Sequence, residues 1–423
     1  MNLSDPTQSL SSSLDEEPRA TVALVETYWM GHHPSWYQNF VKVLVEQGYR
    51  VVGFCPAPEE MKHWASTNLS GHRRERCEFF YRGVYQCSPW IPSRLRPRIS
   101  SVIQYLGLAR ALKKWERSRC QKIDLVFFAC IYDFFFEHFN KIARFFSFSV
   151  SGLYLHCRSI RMPGSPIPQT GALPCLEKFW GRKPFESLAI LDEGAMEEVE
   201  KIGGGRPVVW IPDLTASDLP KRAEGGIASK LSRYSKGQPI ILLAGHIQPT
   251  KGAMMFCDLA DRLRNEALCF GMIGEVAWEM FPREDQKKLK SFAEQHYNLF
   301  THLTVVADQE INDCISRSQV IFAAYRSFPN SSNILSKAVQ FRKPIIVSDG
   351  YLMAERVRKF RLGIVIPEGD RDAACEAVLK LAKDPGGWCR EMNPDWDGYR
   401  AEHSIERLSK GFEKLVQHSL KQK

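Results

Sequence analysis

Two polar segments in the second half of the chain have the residue types and spacing suited to binding an anion. The first reads Gly-His-Ile-Gln-Pro-Thr-Lys-Gly over residues 245–252 and directly follows the apolar run Ile240–Ala244. Gly245 lets the backbone approach a ligand closely, and Lys251 stands where a helix is predicted to begin. A helix N-terminus beside an ammonium group is suited to phosphate. The residues alone leave open a plain strand-to-helix turn with a solvated lysine.

The second polar segment, residues 326–333, reads Arg-Ser-Phe-Pro-Asn-Ser-Ser-Asn and follows another predicted strand. It leads into a helical pattern that we expect Asn330 or Ser331 to cap. Backbone N–H groups around Ser331, Ser332 and Asn333 would then face an anion. Simple helix capping is the alternative interpretation.

In the first half of the chain, histidines follow predicted strands. The loop after the strand Thr21–Val25 contains Gly31, His32 and His33, and His156 ends a later strand. A histidine in such a position can form hydrogen bonds and carries charge when it is protonated. A packed loop residue is the alternative at each of these positions.

Short β-rich runs alternate with longer helical patterns, which predicts parallel sheets with right-handed crossovers. We expect an α/β protein with two Rossmann-like, doubly wound domains whose carboxyl strand edges face a cleft. The predicted divisions are a disordered leader at 1–20, an N-terminal domain at 21–212, a linker at 213–236, a C-terminal domain at 237–397 and a closing helix at 398–423. The strands predicted in the second half are Ile240–Ala244, Cys269–Ile273, Leu303–Val306, Val320–Ala323, Pro344–Val347 and Gly363–Ile366.

The amino-acid composition indicates which general kind of protein this is. The 423 residues are 44% hydrophobic and 25% charged, with a mild net charge of +9, so a globular protein is expected. The longest apolar run, Leu125–Tyr132, is far shorter than the roughly 20 residues of a spanning helix. The 12 cysteines include no Cys-x-x-Cys pair, which favours free thiols in the cytoplasm. Nucleic acid is not an expected partner, because the aromatic residues lie in core-like runs.

Two further features bear on membranes. The basic stretch His72–Arg82, followed by arginines up to Arg98, is interpreted as a solvated face of a long loop. The Phe-rich stretch Phe134–Phe146 predicts a helix with a wide apolar stripe, for which core packing is favoured. The alternative for both is peripheral contact with the inner face of a membrane that carries a lipid-linked acceptor.

The segment 245–252 and the later segment Ser332–Pro344 resemble the donor-binding domain of retaining GT-B glycosyltransferases. That family shows Gly-Arg-x-x-x-x-Lys-Gly after the first strand of its second domain; here His246 stands at the arginine position and Lys251 at the lysine position. The resemblance implies that Lys251 holds the diphosphate of a nucleotide sugar. The donor contacts that it implies are Gly31, Gly245, His246, Ser331, Ser332, Asn333 and Glu355.

The first half shows a weaker resemblance to the same family. Its loop with Gly31 is similar to a glycine-rich loop near the donor phosphates and the acceptor, which implies an acceptor-side role for His32 and His33. His156 resembles the family histidine beside the transferred sugar, so we assign a catalytic role to His156 and Lys251. Two family glutamates are absent, since the second falls on Lys337 and the first near Pro329.

The implied function is transfer of a sugar from a nucleotide-diphosphate sugar to a glycan or lipid-linked acceptor, with retention. No cofactor is expected besides the donor substrate, and no metal, because no Asp-x-Asp pair follows a strand. A dinucleotide oxidoreductase would need Gly-x-Gly-x-x-Gly after a strand, which is missing. A glycosidase would need two facing carboxylates, and none stand out. A non-catalytic binding protein of the same fold is the remaining alternative.

Overall fold

The structure is a computed structural model, and it divides the chain into two compact units. The first unit combines residues 1–211 with 405–423, and the second comprises residues 212–404. The structure describes residues 17–29, 31, 33–83, 90–92, 95–131, 146–163, 176–215, 217–221, 225–295 and 298–421. Most of the predicted leader and of the Phe-rich stretch, as well as His32, lie outside these residues.

The first unit is built on a seven-stranded sheet in which all neighbouring strands pair in parallel. Apart from the edge strand Cys77–Tyr81, its strands are short apolar runs that are almost wholly buried, as expected for a sheet with helices on both faces. Their order across the sheet is β3-β2-β1-β4-β5-β6-β7. The strands are β1 (Thr21–Val25), β2 (Arg50–Cys55), β3 (Cys77–Tyr81), β4 (Leu125–Phe128), β5 (Val150–Tyr154), β6 (Leu188–Ile190) and β7 (Val208–Trp210).

Helices lie between these strands in the part of the chain that the structure describes, and the last helix of the chain returns to the same unit. The helices are α1 (His33–Glu46), α2 (Pro58–Asn68), α3 (Gly71–Glu75), α4 (Arg96–Arg119), α5 (Arg158–Arg161), α6 (Leu176–Phe179), α7 (Met196–Ile202) and, at the end of the chain, α17 (Ile405–Lys421). The ring of Phe412 on α17 lies 5.0 Å from that of Phe40 and 4.9 Å from that of Phe127. The closing helix is therefore part of the first hydrophobic core.

The second unit has a six-stranded parallel sheet of order β10-β9-β8-β11-β12-β13. This is the doubly wound arrangement. The strand order runs outward in one direction from β8 and then in the opposite direction from β11, which lies beside β8. The strands are β8 (Ile240–Ala244), β9 (Cys269–Ile273), β10 (Leu299–His302), β11 (Val320–Ala323), β12 (Ile345–Ser348) and β13 (Gly363–Ile366). Together the two sheets confirm the predicted α/β class with two doubly wound sheets.

Nine helices are described in the second unit, apart from short 3₁₀ turns. They are α8 (Ile227–Ser235), α9 (Ala253–Arg262), α10 (Arg283–Gln295), α11 (Asp308–Arg317), α12 (Asn333–Gln340), α13 (Leu352–Phe360), α14 (Arg371–Lys383), α15 (Pro385–Met392) and α16 (Trp396–Glu402). Each places apolar residues against one continuous core around the sheet.

Three predictions about local structure are wrong. The predicted linker 213–236 contains α8, whose Ile227 and Leu231 recur at helical spacing and are buried, although Gly and charged neighbours conceal the pattern. The predicted strand Leu303–Val306 is a loop, because pairing with β9 ends at His302. The basic stretch His72–Arg82 is not a long loop, since it contains α3 and β3, the latter paired with β2.

No helix among the described residues is long and apolar enough to cross a membrane. This finding agrees with the absence of a long apolar run in the sequence.

Phe412→Ala should lower the free energy of unfolding of the first unit by about 3–5 kcal/mol, because it empties a site between two buried rings. The exposed Lys414 on the same helix gives a matched control, and Lys414→Ala should change stability by less than about 0.5 kcal/mol. Urea-induced unfolding followed by circular dichroism measures both. Equal effects of the two substitutions would show that α17 does not belong to the core.

Candidate functional site

The strand order of the second unit selects one position at the edge of the sheet. Neighbouring strands β8 and β11 lead to helices on opposite faces, so a crevice opens beyond their carboxyl ends, where doubly wound proteins bind ligands. The segments that follow these strands are residues 245–252 and 324–332. Both polar segments singled out from the sequence therefore lie at this crevice.

Backbone geometry brings the two segments together. Gly252 has a φ of 77°, and a Cβ added to it would lie 2.7 Å from the carbonyl oxygen of Ala324. The backbone N–H of Arg326 donates to the carbonyl oxygen of Thr250 at 2.8 Å. Gly245, with a φ of 110°, donates its N–H to Ile273 at 3.0 Å. Glycine is thus required at 252 both for its backbone conformation and for the close approach.

Lys251 lies in the 3₁₀ turn Pro249–Lys251 and points toward the second segment. Its Nζ donates to the Oγ of Ser332 at 3.4 Å and lies 4.0 Å and 4.3 Å from the ring centres of Tyr325 and Phe328. Burial lowers the pKa of the Lys251 ammonium from 10.5 to about 7. The faces of two rings stabilise the cation. Among the described residues, no carboxylate lies within 4.0 Å of the Lys251 Nζ to offset the cost of burying its charge.

The helix α12 begins at this crevice with an unusual N-terminus. Its N-cap is Ser332, not the predicted Asn330 or Ser331, and the Ser332 side chain makes no capping hydrogen bond. Ser332 instead accepts the hydrogen bond from Lys251. Asn333 is the first helical residue. The N-terminal N–H groups of α12 are therefore not capped by the serine that precedes them.

Ser331 turns the other way and belongs to a buried polar cluster. Its Oγ donates to the Oδ2 of Asp213 at 2.5 Å and accepts from the Nη1 of Arg356 at 2.8 Å. The carbonyl oxygen of Asp213 also accepts from Ser336 on α12, at 3.2 Å. Arg356 and Asp213 are only 1% and 3% exposed. The cluster holds the start of α12 against α13 and the segment that precedes α8.

His403 completes this cluster. It is buried and stacks on Tyr399 with the ring centres 4.1 Å apart. Burial, together with the charges of Arg356 and Lys359, lowers the pKa of His403 to about 2, so its ring is neutral at physiological pH. Sequence reasoning missed Asp213, Arg356 and His403, because no local motif links residues so far apart in the chain.

Two predicted donor contacts lie on the surface of the second unit. His246 is exposed, and its Nδ1 lies 3.7 Å from the Oε2 of Glu275. Glu355 is exposed in the first turn of α13. The structure does not connect either side chain to the contact between Lys251 and Ser332.

Lys337 occupies the position at which the resemblance placed a glutamate. Its side chain is 4% exposed, and its Nζ donates to the Oδ1 of Asn312 at 2.5 Å and lies 2.9 Å from the Oδ2 of Asp308. Burial lowers the pKa of Lys337, and the carboxylates of Asp308 and Asp218 act in the opposite direction. A buried cation thus joins α12 to the start of α11.

In the first unit, the strand order reverses between the neighbouring strands β1 and β4. The loop after β1 carries a buried carboxylate. Glu26 is 3% exposed; its Oε1 accepts from the N–H groups of Thr27 at 2.7 Å and Tyr28 at 2.9 Å. Its Oε2 lies 3.0 Å from the Nδ1 of His33, the first residue of α1. Sequence reasoning singled out His33 but missed Glu26, the residue that orients its ring. Gly31, with a φ of 62°, forms the turn between them.

His156 lies two residues beyond β5, at the carboxyl edge of the same sheet, and is partly buried. Close by in the chain, Arg161 forms a two-point ion pair with Asp192, with distances of 2.7 and 2.9 Å. No group of three or more metal-binding side chains occurs among the residues that the structure describes.

Residues 238–384 match the family described as glycosyl transferases group 1. The match covers 147 of the 423 residues, and this part of the chain is similar to that family. The match spans β8 to α14 and includes both segments at the crevice. It confirms the predicted class of enzyme, a glycosyltransferase. No curated protein matches the chain at the level of sequence.

Solved structures share the fold over nearly the whole chain. Sucrose-phosphate synthase from Thermosynechococcus elongatus is 13% identical, with a TM-score of 0.67 over 96% of this chain and 100% of that one. A glycosyltransferase from Rickettsia africae is 11% identical, with a TM-score of 0.66 over 96% and 100%. Anabaena HepE in complex with UDP and glucose is 10% identical, with a TM-score of 0.63 over 94% and 99%. These likenesses establish the predicted GT-B fold.

Lys251→Met should stabilise the unliganded protein at pH 7, and the gain should shrink as the pH rises to about 10.5. The folded-state pKa of about 7 lies below the ordinary value of 10.5, so between these values the unfolded chain binds a proton that the folded chain lacks. The stability of the unsubstituted protein therefore rises with pH across this window. Urea unfolding at several pH values, with the exposed Lys380→Met as control, measures the difference. A difference that does not change with pH would show that the amine is solvated.

Proposed function

We propose that this protein transfers a sugar from a nucleotide-diphosphate sugar to an acceptor hydroxyl, with Lys251 and the start of α12 binding the donor diphosphate. The observation that carries this proposal is the ammonium of Lys251 placed at the β8–β11 crevice of a glycosyltransferase group 1 domain. HepE was solved with UDP and glucose, and a trehalose-6-phosphate protein from E. coli was solved bound with UDP-2-fluoro glucose. Both share the fold of this chain, which supports a nucleotide sugar as donor.

The chemical role of this site is to stabilise the leaving group. As the bond to the sugar breaks, negative charge develops on the diphosphate. Stabilisation of such charge by fixed cations and N–H dipoles is commonly the largest contribution to catalysis. Lys251 is kept from full charge by burial at neutral pH, but an incoming diphosphate favours its protonated form. The Lys251 amine therefore takes up a proton when the anion binds. The N–H groups of α12 add the positive end of the helix dipole.

The remaining donor contacts in this proposal come from the family resemblance. Gly245 gives the backbone close approach, Asn333 begins α12, and His246 and Glu355 supply polar groups at the surface. We further propose that transfer retains the anomeric configuration and proceeds without a metal ion, because Lys251 and α12 supply positive charge. The donor sugar is then attacked on the face from which the diphosphate leaves.

On the first unit, we propose that the loop after β1 forms the acceptor side. The bond between Glu26 and Nδ1 fixes the orientation of the His33 ring, so that Nε2 faces away from the carboxylate. His32 and the catalytic candidate His156 complete this proposal from the sequence, and Gly31 in the same loop is proposed as a donor contact. The acceptor is a glycan or a lipid-linked sugar, and contact with a membrane surface belongs to the same hypothesis.

Lys251→Ala should abolish the thermal stabilisation that one nucleotide sugar gives the unsubstituted protein. A ligand that binds only the folded state raises its stability by about 2.7 kcal/mol at a concentration of 100 Kd. We would screen UDP-, GDP-, ADP- and TDP-sugars against the wild type, Lys251→Ala and the control Lys380→Ala, which should respond like the wild type. No shift with any donor would favour a binding protein that has lost donor chemistry.

Glu26→Gln should lower kcat/KM for the acceptor about tenfold while donor binding stays unchanged. The substitution removes a charged hydrogen-bond partner of His33, and such bonds contribute about 1.5–3 kcal/mol. Initial rates with the donor from the screen and a panel of glycan and lipid-linked acceptors measure the effect. Glu59→Gln, on the exposed face of α2, is the matched control. A matching loss of donor binding in Glu26→Gln would contradict an acceptor-side role.

A further inference from the structure

Arg82 directly follows the edge strand β3, and its side chain lies against helix α4. Its Nη2 donates to the carbonyl oxygen of Gln104 in that helix. A Cβ added to Gly107, further along α4, would lie 3.2 Å from the Nη1 of Arg82. Glycine at this position therefore lets the guanidinium approach the helix, and α4 holds it in one place.

The positive charge of Arg82 is not balanced by a carboxylate of any described residue within 4.0 Å. Burial lowers the pKa of Arg82 from its ordinary value, and no described carboxylate acts in the opposite direction. An arginine nevertheless keeps its charge in a protein. Elsewhere in this unit, the Arg161 side chain is 16% exposed and forms a two-point ion pair with Asp192. Arg82 is also partly exposed, so its charge is accessible to a ligand.

Two polar atoms of these residues are buried and have no hydrogen-bond partner in the part of the chain that the structure describes. They are the Nε of Arg82 and the Oε1 of Gln104, a residue that is 1% exposed. The Nε2 of Gln104 donates to the Oγ of Ser100 at 3.3 Å, so only one end of its amide is satisfied. A buried polar atom without a partner costs about 1–3 kcal/mol. Stability is therefore a poor reason for a cation and an amide at this place, and a ligand that binds them explains it better.

Hydrogen bonds to β2 relate Arg82 to the loop that orients His33. The N–H of Arg82 donates to the carbonyl oxygen of Cys55 at 2.7 Å, and the N–H of Glu26 donates to that of Phe54 at 2.9 Å. Arg82 and Glu26 thus lie on either side of the carboxyl end of β2. Because neighbouring strands are about 4.8 Å apart, these two backbones are separated by about 10 Å. Arg82 therefore lies at the same edge of the sheet as the loop proposed to form the acceptor side.

The chemistry of the guanidinium indicates the kind of group that it binds. A guanidinium donates through a planar fork that matches two oxygens of a phosphate or of a carboxylate. A neutral hydroxyl would leave the charge of Arg82 without a counter-ion, whereas either anionic group balances it.

We propose that Arg82 binds an anionic group, a phosphate or a carboxylate, on the acceptor sugar. This inference rests on the proposed function and narrows its acceptor to sugars that carry such a group. Arg82 is a binding residue in this assignment. Gln104 and Gly107 are positioning residues, because they hold the guanidinium against α4.

The test compares sugars that differ only in one anionic group. Isothermal titration of the full chain would measure the Kd of glucose, mannose and galactose, of their 6-phosphates and of the corresponding uronic acids. At least one anionic form should bind the wild type about tenfold more tightly than its neutral parent, as expected for a hydrogen bond to a charged group. Arg82→Gln should bind the anionic and neutral forms alike. A preference for the 6-phosphate alone, or for the uronic acid alone, would identify the group that Arg82 binds.

Arg110→Gln is the matched control, because Arg110 is an exposed arginine on the same helix α4, and it should keep the preference of the wild type. Arg82→Lys keeps the charge but not the planar fork, so it should keep only part of the preference. Circular dichroism would show that each variant is folded.

The inference fails if no anionic form binds the wild type more tightly than its neutral parent, or if Arg82→Gln keeps the preference. Failure of every nucleotide sugar to stabilise the wild type would instead overturn the proposed function. The titrations with sugars would still decide whether Arg82 binds the anion, so the two failures are distinguishable.

Discussion

The second unit depends on the close contact between two backbones, at Gly252 and the carbonyl of Ala324. Parallel strands β8 and β11 are neighbours, and the loops beyond them can meet only where a side chain is absent. This approach places Lys251 over Tyr325 and Phe328 and within reach of Ser332. A crevice of the sheet thereby becomes a place where one buried amine lies beside the start of a helix.

Three basic side chains of the second unit, Arg356, Lys337 and Lys251, differ in their partners. Arg356 cannot lose its charge and is bound to Ser331 in a cluster with Asp213. Lys337 is held by Asn312 and Asp308. Lys251 has aromatic faces and a hydroxyl instead of a carboxylate, and burial lowers its pKa to about 7. The first two cations hold the start of α12 and the adjoining helices, whereas no carboxylate of a described residue lies within 4.0 Å of the Lys251 amine.

The first unit presents a carboxylate at the corresponding edge of its own sheet. Glu26 is satisfied by two backbone N–H groups and by His33, so its burial is compensated. Because one oxygen holds the loop and the other holds the imidazole, a single side chain fixes both the turn after β1 and the start of α1. The first unit thus places a carboxylate, and the second an amine, beyond the strands at which the strand order reverses.

The amino-acid sequence alone predicts the βα alternation, most strand positions and the segment that contains Lys251, because these follow from local periodicity and from glycine spacing. It could not place α17 in the first core, since the contact of Phe412 with Phe40 joins residues from opposite ends of the chain. It also placed the strand at Leu303–Val306 instead of Leu299–His302, because both segments suit a strand and only pairing with β9 decides. In the sequence, Lys337 stands where the related family has a glutamate, which indicates that a carboxylate is missing. Only the tertiary structure showed Asp308 beside that ammonium, because ion pairs between helices depend on packing and not on spacing along the chain.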